Sequence, residues 1–176
     1  MSRTSKEHKI EAPKDIIFAI IIISSSRFQN ILKGERVKDP SGRIIIQTLQ
    51  NSGYTVSSKR IIADDKGLIE RSLKEDLARS EVDVVITSGG TGISNSDISI
   101  ETIRPLFNKE LPGFGELLRI ISYEEIGSPA ILTRAIAGII GKKPVFCIPG
   151  SPHAVDLALK KLIIPEIGHI VKHIKE

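Results

Sequence analysis

Val82-Asp83-Val84-Val85-Ile86-Thr87-Ser88-Gly89-Gly90-Thr91-Gly92 passes from an apolar run straight into bare backbone, and Asp97 follows five positions on. Three glycines in four positions add nothing to a core. They strip side chains from main chain whose N–H groups can then converge on a ligand, and a strand ending this way ahead of a helical pattern makes an anion nest. The expected anion is a phosphate, with the Asp97 carboxylate suggesting a metal ion beside it. The alternative is a tight strand-to-helix turn whose glycines serve only to reach positive φ.

Outward from this stretch the pattern alternates. Residues 1–14 are polar and read as a flexible N-terminal arm ahead of one domain at 15–176. Residues 15–24 read as a strand, apolar throughout, as expected of a parallel strand covered on both faces. A polar loop follows to Lys38, then Asp39-Pro40 opens a helix with Asp at the cap, Pro in the first turn and Ile44, Ile45, Thr48 and Leu49 as its buried stripe. Residues 54–62 form the next strand, 67–80 a helix, and 82–87 the strand that carries the glycine loop. Helices are expected at 98–107, 113–125 and 130–140, a late strand at 144–148, and a last helix capped by Ser151 that Pro165 kinks or stops. Near-continuous apolar strands alternating with helices predict an α/β fold, a doubly wound, mostly parallel sheet with helices on both faces. In such sheets ligands sit beyond the carboxyl ends of the strands, where strand order reverses. The loops at 24–27, 64–65, 87–97 and 149–153 all follow strands, so they should share one edge and form one site.

Bulk properties narrow the function. The 176 residues are 40% hydrophobic and 26% charged, with a net charge of +4, an ordinary soluble composition. No basic stripe interleaved with aromatics runs through the body, which argues against nucleic acid. The apolar run 16–23 is too short to span a bilayer and is followed by no cleavage pattern, so a cytoplasmic protein is expected. Cys147, the single cysteine, lies in an apolar strand pattern and reads as an inert buried thiol.

Asp64 and Asp97 are the candidate catalytic and metal-binding carboxylates, because Mg²⁺ favours one or two carboxylates completed by phosphate oxygens and water. Otherwise Asp64 starts a turn and Asp97 caps the helix at Ile98. Ser41 and Gly42 could offer a hydroxyl and an N–H at a positive helix end, and Pro149-Gly150-Ser151-Pro152 makes a second glycine turn into a helix. There is no GxxxxGK[ST] phosphate loop, no third glycine for GxGxxG, and no GxSxG elbow. His169 and His173 have i, i+4 spacing but no third ligand, and read as cations near a helix end.

Taken in order, Ser25-Ser26-Arg27, Asp39-Pro40-Ser41-Gly42, Asp64-Asp65, Thr87-Ser88-Gly89-Gly90-Thr91-Gly92 with Asp97, Leu111-Pro112-Gly113-Phe114-Gly115-Glu116, residues 122–127, Arg134-Ala135-Ile136-Ala137-Gly138 and Pro149-Gly150-Ser151-Pro152 form a specific set. With it the chain resembles the MoaB/Mog family of molybdenum cofactor biosynthesis proteins, the molybdopterin adenylyltransferases, over about 15–165. Ser26 stands where many relatives carry Asp or Asn. The resemblance implies a molybdopterin-binding fold in trimers or hexamers, working in one pathway with a metal-insertion protein. It implies adenylylation of the terminal phosphate of molybdopterin by ATP and Mg²⁺, with release of pyrophosphate. The essential acids fall on Asp64 and Asp97, the glycine loop on Gly89–Gly92, and the pterin-phosphate loop on Gly150–Pro152. Ser25, Ser26, Ser41, Gly42, Thr87, Ser88 and Pro149 complete the expected substrate-binding set. The rival readings are a non-catalytic molybdopterin carrier or scaffold, a related metal-insertion or competence-protein domain, and a flavodoxin-like signalling domain.

Overall fold

β1 (Ile17–Ile23) is an interior strand, paired on both sides and with six of its seven residues buried. The computed structural model describes residues 15–176, so the expected arm at 1–14 lies outside the described residues. In chain order β1 is followed by α1 (Ser25–Leu32), α2 (Pro40–Asn51), β2 (Thr55–Ile62), α3 (Lys66–Ala78), β3 (Val84–Ser88), α4 (Ser99–Ile103), β4 (Lys109–Glu110), α5 (Pro112–Ile126), β5 (Ile136–Ile140), β6 (Lys143–Ile148), α6 (Pro152–Ala158) and α7 (Ile164–Lys175). The six strands form one sheet in the order β2-β1-β3-β6-β5-β4. β2, β1, β3 and β6 run parallel, while β5 and β4 close the edge antiparallel. The mostly parallel, doubly wound sheet expected from the alternation is therefore present.

Each sheet face carries its own core. Phe18, Ile20 and Ile22 of β1 pack with α2, α5, α6 and α7, while Ala19, Ile21 and Ile23 pack with α3 and α4. Alternate residues of one strand feed opposite faces, so a continuous Ile run serves two cores at once.

Four expectations change. The polar stretch after β1 contains α1, which buries none of its residues and leaves Ile31 and Leu32 exposed; its apolar face, Phe28, Ile31 and Leu32, has helical spacing, but eight residues are fewer than periodicity needs to be read. The expected helix at 130–140 is a 3₁₀ turn (Ser128–Leu132) followed by β5. Ile136-Ala137-Gly138-Ile139-Ile140 is a short apolar run whose period fits either element. It is a strand because the Gly141-Lys142 hairpin, with Gly141 at φ +61°, returns it onto β6. Gly138 is needed there, since a Cβ would lie 2.4 Å from the Phe107 ring. β4, two residues long, had no sequence signal. Pro165 does not end the last helix: a π turn at Leu159–Ile163 precedes it, and the proline then occupies the first turn of α7, where its missing N–H costs little.

Candidate functional site

Strand order reverses between β2 on one side of β1 and β3 on the other, and the glycine loop leaves β3 at that point. Gly89, at φ +106°, passes so close to the end of β1 that a Cβ would stand 2.2 Å from the Ile23 carbonyl oxygen. Its N–H donates to the Ile148 carbonyl of β6 at 3.1 Å. Gly90, at φ +61°, would put a Cβ 2.3 Å from both Asp64 Oδ1 and Ser99 Oγ. At Gly92 a Cβ would meet Asp97 Oδ2 at 2.6 Å. Positive φ explains two of the glycines, but close approach of carboxylates explains Gly90 and Gly92 as well. The two candidate aspartates thus flank one three-residue stretch of bare main chain.

That main chain has donors to spare. Among the described residues, the N–H groups of Gly90, Thr91 and Gly92 donate to no carbonyl and no side chain. Consecutive unpaired N–H groups in a left-handed-to-right-handed turn form an anion-binding concavity. The rest of the loop is tied down: Ser99, fully buried, donates its Oγ to Gly89 O and its N–H to Gly90 O, each at 2.9 Å.

Asp64 is held by α1. Its Oδ2 accepts the Ser25 main-chain N–H at 3.0 Å and the Ser25 hydroxyl at 3.1 Å, and its own N–H donates to Ser25 Oγ at 2.9 Å. The carboxylate therefore sits at the amino end of α1, where the helix dipole favours negative charge. Asp65, its neighbour, does the plain structural work of capping α3 through Leu68 N–H. Asp97 is not a helix cap. Ile98 occupies that position without a side-chain bond, and Asp97 instead closes the loop on itself, Oδ2 accepting Ser94 N–H at 3.0 Å.

The second glycine turn lies against the first: a Cβ on Gly150 would be 3.1 Å from Gly89 Cα. Several expected ligand hydroxyls hold this arrangement from within. Ser41 donates to Gly150 O at 2.6 Å, Ser88 to Pro149 O at 3.1 Å and Thr87 to Phe146 O at 3.5 Å, while Ser151 caps α6 through Ala154 N–H. The Gly42 N–H is claimed by Asp39 Oδ1 at 3.0 Å, and Asp39 is itself paired with Lys59 at 2.8 Å. Ser26 is exposed and its hydroxyl lies 3.4 Å from that of Ser24. The loops after β1, β2, β3 and β6 do meet on one edge, fastened to one another by Ser25 with Asp64 and by Ser88 with Pro149, and braced from α2 by Ser41.

Sequence reasoning missed Arg134 as a residue of this site. Its guanidinium donates to Gly92 O at 2.6 Å and bonds Glu101 on α4. Burial acts to raise the Glu101 pKa, but the Arg134 bond and neighbouring arginine charges outweigh it and hold the carboxyl below its usual value. No group of three or more His, Cys, Asp and Glu able to hold a metal exists among the described residues. His169 and His173 face one another across 2.8 Å on α7, whose carboxyl end they share with Lys172 and Lys175.

A doubly wound sheet with two glycine turns and two aspartates at its switch point places this chain among the α/β proteins whose ligand sites lie beyond the carboxyl ends of their strands. The chain belongs to the family described as "Probable molybdopterin binding domain", matched over residues 19–169. It is 48% identical over 165 residues to molybdenum cofactor biosynthesis protein B of Bacillus anthracis, covering 93% of this chain and 94% of that one. It is 47% identical over 175 residues to the molybdopterin adenylyltransferase of Pyrococcus furiosus, covering 97% and 98%. The crystal structure of the tungsten cofactor synthesizing protein MoaB from Pyrococcus furiosus superposes with a TM-score of 0.82 at 45% identity, covering 94% of this chain and 100% of that one. No helix of the described residues is long and apolar enough to cross a membrane.

Proposed function

We propose that this chain is a molybdopterin adenylyltransferase of molybdenum cofactor biosynthesis, working at the edge where Asp64, Asp97 and Gly89–Gly92 meet. The observation that carries the reading is the pair of carboxylates packed against bare main chain, Asp64 on Gly90 and Asp97 on Gly92. In the reaction an oxygen of the molybdopterin terminal phosphate attacks the α-phosphorus of ATP. The new P–O bond forms as the α–β bridging bond breaks, and pyrophosphate leaves. Two anions must be brought together, so alignment and charge neutralisation dominate the barrier, and no covalent protein intermediate is needed.

The free N–H groups of Gly90, Thr91 and Gly92 orient the nucleotide phosphates. The Pro149-Gly150-Ser151-Pro152 turn, braced by Ser41 and Ser88, receives the pterin phosphate beside them. The donor set fits Mg²⁺: two carboxylates, with no third acidic, His or Cys ligand grouped with them among the described residues, leave room for phosphate oxygens and water. Asp64 and Asp97 would hold it, and it would supply charge neutralisation and alignment of the leaving group.

The same reading includes self-association. Ile120, Tyr123 and Ile131, at 55, 65 and 84% exposure, line an apolar groove of about 530 Å³ on α5 and the 3₁₀ turn after it. A second copy of this chain is its occupant, in a trimer or hexamer, because apolar surface rimmed by polar residues marks an interface.

Incubation with molybdopterin and Mg-ATP tests the reading. Pyrophosphate release in step with pterin consumption is expected. Retention of molybdopterin without pyrophosphate would make the chain a carrier instead.

A further inference from the structure

We propose that Arg134 is a positioning residue for this site, setting the place of Asp97 through Gly92. The inference rests on the adenylyl-transfer reading and adds a component that lies outside the strand-end loops. Arg134 precedes β5, far from the loop in sequence, and reaches Gly92 O at 2.6 Å with one guanidinium nitrogen while the other bonds Glu101. Gly92 in turn packs on Asp97, where even a Cβ would stand 2.6 Å from Oδ2. Arg134, Gly92 and Asp97 are therefore a continuous chain of contacts, anchored at its far end to α4 through Glu101.

The loop needs such a tether. Its first half is clamped by Ser99 at Gly89 and Gly90, but between Gly92 and Asp97 the internal bonds are those of Ser94 with Asp97 and with the Ser96 hydroxyl. Ile93, at 73% exposure, gives this half no hydrophobic anchor. A planar fork can bind a carbonyl and a carboxylate at once in fixed geometry, which an ammonium on a flexible stem cannot. The Arg134 side chain itself stays 31% exposed.

Arg134→Lys and Arg134→Ala, compared with the wild-type chain, test this. For Arg134→Lys, kcat falls about tenfold and half-saturating Mg²⁺ rises several-fold, while KM for molybdopterin stays within about twofold. Hydrogen exchange over residues 90–98 becomes about tenfold faster, with the core strands unchanged. Guanidinium ion restores part of the activity of Arg134→Ala but adds nothing to the wild type. Wild-type exchange over 90–98 in Arg134→Lys overturns the inference, as does a kcat loss with the Mg²⁺ requirement unaltered. A wild-type chain that releases no pyrophosphate, yet shows the faster loop exchange on substitution, overturns the adenylyl-transfer reading and leaves the tether standing.

Discussion

Ser25 and Asp64, 39 residues apart, exchange three hydrogen bonds, two into Asp64 Oδ2 and one back from the Asp64 N–H to Ser25 Oγ. The pair staples the end of β1 to the end of β2 and fixes which carboxylate oxygen is free to face Gly90. Ser25→Ala deletes both bonds of the hydroxyl and leaves the main-chain bond. Because the pair is exposed, the expected stability loss is small, about 0.5–1 kcal/mol. Turnover falls about tenfold, since a carboxylate held by one bond instead of two is a less well-placed ligand. Thermal melting and pyrophosphate release on the same preparation check both numbers.

Gly90→Ala should be far more damaging than Gly113→Ala. At Gly90 the added Cβ meets Asp64 Oδ1 and Ser99 Oγ, each at 2.3 Å, on backbone of φ +61°; at Gly113 it meets nothing within 4 Å. Strain and displacement together cost about 2 kcal/mol or more at Gly90. Denaturant midpoints of the two variants measure the difference, and equal midpoints would contradict the loop packing described above.

Acid should loosen the Arg134–Glu101 contact. The folded Glu101 pKa lies below its ordinary 4.5, so its contribution is present above that value and disappears as pH falls through the folded pKa. Melting temperatures from pH 7 down to about 3 should fall less steeply for Glu101→Gln than for the wild type. Parallel curves would show that the pair contributes nothing to pH-dependent stability.

Cys147 should be silent in the native protein. Complete burial pushes its thiol up to about 12, so almost no thiolate exists at neutral pH. A thiol-reactive disulfide reagent at pH 8 should report essentially no reaction until guanidinium unfolds the chain, then one thiol per chain.

The glycine loop, the two aspartates and the Pro149–Pro152 turn were legible in sequence because strand ends and bare backbone are local signals. So was the shared edge, which follows from strand–helix alternation. α1 was not read as a helix because its apolar face, Phe28, Ile31 and Leu32, spans only two turns inside a polar stretch. β5 was misread because five apolar residues suit either period, and only pairing with β6 selects one. Arg134 stood in one of the motifs that carry the family resemblance, but its role could not be read, because its partners, Gly92 and Glu101, lie far from it in sequence and meet it only in the fold. The serine and threonine hydroxyls near the loops taught a related lesson. Their polarity marked the right places, but Ser41, Ser88 and Thr87 spend it on neighbouring carbonyls.

In the proposed reaction Asp64 and Asp97 serve chemistry, with the pterin held mainly by the turn at Pro149–Pro152. Asp64→Asn and Asp97→Asn, assayed side by side for pyrophosphate release and for molybdopterin binding, measure this directly. Turnover should fall by about a hundredfold or more in each variant while the molybdopterin Kd changes by less than about threefold. Wild-type rates in either variant, or a loss of pterin affinity that accounts for the whole loss of rate, would contradict it.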